Sequence, residues 1–221
     1  MQDKRVIIIA GGDFKDLDFY KKLFWQDDFI ICVNGGTEHA LRLEIKPSLV
    51  IGDLDSLTSL ARDFIDRMNV QIEKHPSAKE KSDLELAVDY AVEINPKEII
   101  ILGALGGPRV DHAFINLLLL SIPLSLGITA SLLNERQEIR LIDKQLIIAG
   151  ERGDYVSLFA LSTDAVGVKT DGLKFPLHGE TLKFASTRGL SNEIVTTPAK
   201  ITLKKGLLLC IKTCRIGQQA L

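Results

Sequence analysis

Val50-Ile51-Gly52-Asp53-Leu54-Asp55-Ser56 ends an apolar run on a glycine and then sets two carboxylates two residues apart. In an extended segment residues i and i+2 share a face, so the spacing predicts that Asp53 and Asp55 point the same way and repel unless a cation lies between them. Magnesium suits such a pair, because it takes hard oxygen ligands and completes its shell with water and substrate phosphates. An ordinary strand followed by an Asp/Gly/Ser turn would read the same way in isolation. The surrounding pattern decides the fold. Short apolar, β-branched runs at 5–10, 29–33, 49–51, 70–73, 98–102 and 129–132 alternate with amphipathic stretches at 17–25, 38–43, 57–68, 82–94 and 111–121. Strands interleaved with helices predict an α/β domain on a parallel sheet, over residues 1–133. Each Gly- or Asp-bearing motif follows a strand: Gly11-Gly12, Asn34-Gly35-Gly36, Gly52-Asp53, and Gly103 onward. Ligands of such folds gather at those carboxyl ends.

Beyond residue 133 the pattern changes to short alternating runs at 138–142, 145–149, 155–160, 165–169, 180–184, 193–196, 200–203 and 207–212, punctuated by glycines. This half, 134–221, predicts an antiparallel β-sandwich, with the join in the polar Asn134-Glu135-Arg136. Leu207-Leu208-Leu209-Cys210-Ile211 is longer than a half-exposed strand requires. It predicts an apolar surface covered in a two-fold dimer, with a fully buried sandwich strand as the alternative.

With 221 residues, 46% of them hydrophobic and 25% charged, the chain supplies a proper core without staples. Disorder and low complexity are excluded on composition. A net charge of −2 gives no basic footprint for nucleic acid. The apolar run at Val6–Ala10 is too short for a signal sequence and nothing reaches membrane-spanning length, so a cytoplasmic protein with no membrane partner is expected. Cys32, Cys210 and Cys214 are odd in number and lack paired metal-ligand spacing, and read as reduced, mostly buried thiols.

Two further motifs carry chemistry. In Lys79-Glu80-Lys81-Ser82-Asp83-Leu84-Glu85, Ser82 is a good helix N-cap and Glu85 completes a capping box. Asp83 favours the helix dipole and also offers a third oxygen ligand beside Asp53 and Asp55, while Lys79 could meet a phosphate. Gly103-Ala104-Leu105-Gly106-Gly107-Pro108-Arg109-Val110-Asp111-His112 runs from a strand into a helix. Glycines admit phosphate close to the backbone, helix N-terminal amides favour anions, and Arg109 adds a planar cationic fork. It is neither a Walker A loop nor a Gly-x-Gly-x-x-Gly fingerprint; a structural turn with Asp111 as N-cap is the alternative.

Together these motifs resemble the thiamine pyrophosphokinase family. The resemblance lies in Asn34-Gly35-Gly36, in Gly52-Asp53-Leu54-Asp55-Ser56, in the 79–85 element, in Gly106 to His112 with Asn116 downstream, and more weakly in Thr187-Arg188-Gly189-Leu190-Ser191-Asn192-Glu193. It spans nearly the whole chain and implies transfer of a diphosphate from ATP to thiamine, releasing AMP. It further implies an ATP-binding α/β domain, a β-sandwich that binds thiamine and dimerises, and a homodimer. Asp53, Asp55 and Asp83 are then expected to hold Mg2+ and the ATP phosphates. Arg109 and Asp111 are expected to line the site, with Asp111 a candidate proton acceptor. Asn34, Gly35, Gly36, Ser56, Lys79, Ser82, Gly106, Gly107, His112 and Asn116 are expected to contact the substrates. Ser191 and Asn192 resemble the thiamine side, with Arg188 turned outward or toward phosphate. The chain departs from the family where Asn34 replaces an aspartate, where Glu80 and Ser82 replace Asp and Thr, and where Pro108 lengthens the Gly-Gly-Arg spacing. A diphosphokinase for another hydroxyalkyl heterocycle, such as a pterin, and a non-catalytic nucleotide or thiamine diphosphate sensor are the competing functions.

Overall fold

The computed structural model describes residues 4–55, 57–76, 80–106 and 109–215. The chain divides into two compact units, Met1–Glu135 and Arg136–Leu221. The first unit ends at Glu135, whose carboxylate accepts the backbone N–H of Lys15 at 2.7 Å and of Asp16 at 3.1 Å.

In the first unit β1 (Arg5–Ile9), β2 (Phe29–Val33), β3 (Leu49–Gly52), β4 (Gln71–Lys74), β5 (Glu98–Leu102) and β6 (Thr129–Leu133) pair in the order β4-β3-β2-β1-β5-β6, and every pairing is parallel. Burial on both faces explains the near-continuous Val/Ile/Leu runs; Val6 through Ile9 are fully buried. The helices are α1 (Leu17–Lys21), α2 (Gly36–Leu43), α3 (Ser59–Arg67), α4 (Asp83–Glu93), α5 (Val110–Leu119) and α6 (Ser121–Ser125). On α2 the buried stripe is Gly36, His39, Ala40 and Leu43, the i, i+3, i+4, i+7 spacing of an amphipathic helix.

Two helices are shorter than their sequence pattern predicts. The stretch 17–25 is helical only to Lys21, because the chain then turns so that the Asp28 carboxylate caps Trp25 N–H and pairs with Arg5, whose guanidinium lies 3.7 Å over the Trp25 ring. The stretch 111–121 breaks into α5 and α6, because Pro123 has no N–H to continue the ladder of α5.

All strand pairings within the second unit are antiparallel among its described residues: β7 (Gln137–Ile142), β8 (Gln145–Ile148), β9 (Tyr155–Asp171), β10 (His178–Leu182), β11 (Asn192–Glu193), β12 (Ala199–Thr202) and β13 (Lys205–Thr213). The runs 155–160 and 165–169 are one strand rather than two. Its first half pairs with β13 and its second with β10 and β12, with left-handed residues at Ser162 and Gly167 where it changes partners. Side chains from both groups of strands enter one core cluster, including Leu158 and Leu208 from one and Val168 and Ile201 from the other. The Leu207–Ile211 run is corrected accordingly: β13 lies between β7 and β9, and Leu208, Leu209 and Cys210 are buried inside the unit. Its length needs no second chain. Among the described residues no helix is long and apolar enough to cross a membrane.

The first residue of α2 sits so close to β1 that a Cβ on Gly36 would overlap the Ile9 carbonyl. Backbone cannot retreat as a side-chain tip can, so Gly36→Ala is expected to cost about 2–4 kcal/mol. Urea unfolding measures it, and a loss below about 0.5 kcal/mol would show that α2 shifts freely over the sheet.

Candidate functional site

From β1 the strand order runs through β2 to β4 on one side and through β5 to β6 on the other. Connections that leave in opposite directions cannot both close over this point, so a crevice opens at the carboxyl ends of the strands. A cleft of about 800 Å3 lies there, bordered by Gly11 and Gly12 after β1, Asn34 and Gly35 after β2, Ser82 and Asp83 at α4, Gly106 after β5, and Arg109, Asp111, His112 and Asn116 around α5. Nine of the residues expected from sequence are thus brought together in one place: Asn34, Gly35, Ser82, Asp83, Gly106, Arg109, Asp111, His112 and Asn116. Gly36 opens α2 beside them. Ser56, Lys79 and Gly107 lie outside the described residues.

Three helices begin at this rim, and their ends differ. Ser82 caps α4, its Oγ accepting the Glu85 N–H at 3.1 Å. Neither α2 nor α5 has a side-chain cap; on α2 the Thr37 and Glu38 N–H groups bond back to the Asn34 and Gly35 carbonyls at 3.0 and 3.1 Å, so α2 turns its dipole end, and α5 its uncapped start, toward an anion. The N-cap of α5 is Arg109, so Asp111 is a first-turn acid and not the cap considered from sequence.

Asn34 is the joint of the site. Its backbone is left-handed at φ 42, a conformation asparagine tolerates. Its side chain accepts the Leu54 N–H at 3.3 Å and donates Nδ2–H to the Asp83 carboxylate at 2.7 Å. The amide orientation follows from the partners, since an N–H must meet oxygen and a carboxylate must meet N–H. One neutral side chain therefore links the end of β2, the segment after β3 and the start of α4.

The paired-carboxylate reading needs correction. Strand β3 ends at Gly52, and Leu54 takes φ 64, so Asp53 and Asp55 lie on a turn and do not share a strand face. Asp55 N–H instead donates to the Asp53 carboxylate at 3.3 Å. Leu54 is held on every side: its side chain is buried, its N–H is taken by Asn34, and its carbonyl accepts the Arg62 guanidinium at 2.5 Å. Among the described residues no three His, Cys, Asp or Glu side chains form a metal-holding group. The expected convergence of Asp53, Asp55 and Asp83 is corrected to a looser arrangement, with Asp83 on the cleft and Asp53 and Asp55 on the segment tied to it through Asn34.

Arg109 and Asp111 form a two-pronged ion pair, Nε to Oδ1 at 2.9 Å and Nη2 to Oδ2 at 2.5 Å. Both are well exposed. The guanidinium bond holds the Asp111 carboxyl at about 2, down from the usual 3.8. Both carboxylate oxygens are taken by the guanidinium, so in this arrangement Asp111 is a poor proton acceptor. Exposed His112 is at the rim, and Asn116 donates to the Ala104 carbonyl at 2.8 Å, clamping the loop after β5. Sequence reasoning missed His39, which is buried and reaches the Gly12 carbonyl at 2.7 Å. The available signal was a histidine inside the buried stripe of α2.

Ser191 and Asn192 stand in the second unit. Ser191 is left-handed and its N–H donates to Ser157 Oγ at 3.0 Å. The Asn192 amide is committed to backbone, accepting Phe175 N–H at 3.0 Å and donating to Phe175 O at 2.7 Å. Arg188 pairs with Glu180 at 3.2 Å.

Asn34→Asp removes a donor and sets a second carboxylate against Asp83. In metal-free buffer this is expected to lower stability by about 1–3 kcal/mol in chemical unfolding; an unchanged midpoint would show that the Asn34–Asp83 bond carries no weight. The Arg109–Asp111 pair, whose acid is depressed in the folded state, contributes fully above the usual value of 3.8 and is lost as pH falls toward 2. A carboxyl 13C titration of Asp111 with a midpoint at or above the usual value would count against the pair.

Residues 20–131 match the family model of the thiamin pyrophosphokinase catalytic domain, and residues 142–208 match that of the thiamin pyrophosphokinase vitamin B1 binding domain. Over 215 residues the chain is 30% identical to thiamine pyrophosphokinase of Bacillus subtilis, covering 95% of this chain and 99% of that protein. The crystal structure of the thiamine pyrophosphokinase from Bacillus subtilis superposes with a TM-score of 0.87 at 29% identity, over 96% of this chain and 100% of the other. That from Geobacillus thermodenitrificans gives a TM-score of 0.83 at 26% identity, over 96% and 99%. With both domain models matched in chain order and a full-length relative at this identity, the chain belongs to the thiamine pyrophosphokinase family.

Proposed function

We propose that this protein is a thiamine diphosphokinase, transferring the diphosphate of ATP to the hydroxyl of thiamine and releasing AMP. The observation that carries the reading is the switch-point cleft in the unit matched by the catalytic model, followed by a unit matched by the vitamin B1 binding model. Neither a pterin-type diphosphokinase nor a sensor is favoured by these matches. In the reaction, the thiamine hydroxyl oxygen attacks the β-phosphorus, the bond from that phosphorus to the α-side bridging oxygen breaks, and AMP leaves.

The residues support specific roles. The uncapped start of α5, the dipole end of α2 and the Arg109 guanidinium offer an anion-binding rim for a triphosphate. Asp111, ionised and paired, orients Arg109 rather than taking the hydroxyl proton. Mg2+ is the proposed cofactor: Asp53, Asp55 and Asp83 are hard oxygen donors of the type it selects, and it needs only one or two carboxylates besides phosphate oxygens. When bound, magnesium neutralises charge on the triphosphate. The β-rich unit is read as a sandwich carrying the thiamine side. There Ser191 is the proposed thiamine contact, and Asn192 shapes the wall by holding Phe175. A homodimer in the cytoplasm completes the proposal. Val110 and Phe114 on α5, 79% and 61% exposed, are apolar surface that a second copy would cover.

With ATP and magnesium, AMP is expected to form only when thiamine is present. AMP formation that needs a pterin alcohol instead would replace the substrate, and ATP binding without turnover would make the protein a sensor. Asp55→Ala is expected to reduce turnover at least about a hundredfold while the melting temperature stays within a few degrees, since Asp55 is exposed. Retained activity would remove Asp55 from the site.

A further inference from the structure

We propose that His39 is a positioning residue for ATP, anchoring the Gly12 carbonyl so that the backbone wall between β1 and the cleft keeps one orientation. This rests on the reading of the cleft as the ATP site. Gly12 borders the cleft, and its backbone is fixed from both sides: the N–H donates to the Gly103 carbonyl at 2.7 Å, and the carbonyl lies 2.7 Å from His39 Nε2. A carbonyl can only accept, so Nε2 carries the proton. The other nitrogen, Nδ1, is buried and among the described residues has no partner. The imidazole is therefore a neutral, single-purpose donor.

Packing fixes that donor. The His39 ring lies flat on Phe14, with centroids 4.1 Å apart and planes within 5°, and Phe14 stacks in turn on Tyr20 at 3.6 Å. His39 is 8% exposed and sits on the same short helix whose uncapped start, Gly35 and Gly36, forms the adjoining rim. Without the anchor, glycine on the amino side of the Gly12–Asp13 peptide leaves that unit easy to rotate. In a trans peptide the carbonyl and the following N–H point opposite ways, so a flip would turn an acceptor toward the wall where an anionic triphosphate must lie. A leucine at position 39 would satisfy the apolar stripe equally well. Beyond the flat stack on Phe14, which a phenylalanine could also make, the histidine adds a hydrogen bond to cleft backbone.

Two variants separate donor from packing. His39→Phe keeps the ring stack and loses the donor; His39→Gln restores an amide donor and loses the stack. ATP dissociation constants by calorimetry, without thiamine, are read beside the KM for each substrate. His39→Phe is expected to weaken ATP about tenfold, the scale of one lost hydrogen bond, with the thiamine KM unchanged. His39→Gln is expected to stay within about threefold of the parent for ATP. ATP binding by His39→Phe at the parent value, or equal loss for both substrates, overturns the proposal. Should His39→Phe fail to fold, His39→Gln decides: ATP affinity near the parent supports the donor role, and a tenfold loss refutes it. Because ATP binding is measured without turnover, a parent protein that binds ATP but does not use thiamine would overturn the function and still test His39.

Discussion

Strand β1 is hydrogen-bonded along both edges, to β2 on one side and β5 on the other, and the position of the site follows from this. Right-handed crossovers that step away from a common strand in opposite directions lay their helices on opposite faces, and the carboxyl edge between them stays open. The pairing continues past the strand ends: Ala10 N–H donates to Leu102 O and Gly12 N–H to Gly103 O. The floor of the cleft is therefore backbone held by the sheet itself. A buried parallel sheet is among the more rigid supports available, and a site built on it inherits that precision.

The helix starts around this floor divide the chemistry. The α4 start has its Glu85 N–H taken by Ser82 and presents Asp83, an acid. The α2 and α5 starts have no side-chain cap and present dipole ends that favour negative charge. An acidic arm and an anion-accepting rim on one cleft suit a substrate that is itself an anion travelling with a cation. The Arg109–Asp111 pair belongs to the rim, where mutual pairing keeps a long cationic side chain in place without burying it.

Much of this was legible in the sequence, and the exceptions share a physical cause. Strands β1, β2, β3 and β5 were readable because both faces are buried, leaving apolar runs that lead into Gly or Asn. Ser82 was readable as a cap because capping is local. Asn34 was legible as a site residue after a strand, but not that its backbone would be left-handed or that its side chain would reach Asp83, forty-nine residues away. Leu54 gave nothing, since no local pattern marks a leucine at positive φ; burial, Asn34 and Arg62 impose it from outside the segment. The single strand Tyr155–Asp171 read as two because the exposed Ser162–Asp164 stretch breaks the alternation while the chain continues. The β13 run read as surplus apolar surface because the sequence does not show that two strands flank it.

The Leu54 turn shows how the site separates scaffold from charge. A leucine in the left-handed region costs about 1–2 kcal/mol, and burying its side chain returns about 1.5–3 kcal/mol, so packing alone offsets the strain. The Asn34 and Arg62 hydrogen bonds then select this conformation over others that would also bury the leucine. Of the bonds that fix the turn, these two leave the Asp53 and Asp55 side chains out. Asp83 is likewise steadied by a neutral amide, where a second carboxylate would repel it. The acidic groups are thus carried on a frame in which Asp53 and Asp83 accept hydrogen bonds from neutral donors. Asparagine at position 34, a departure from the family that enters the cleft along with Glu80 and Ser82, is what makes the frame neutral at its joint.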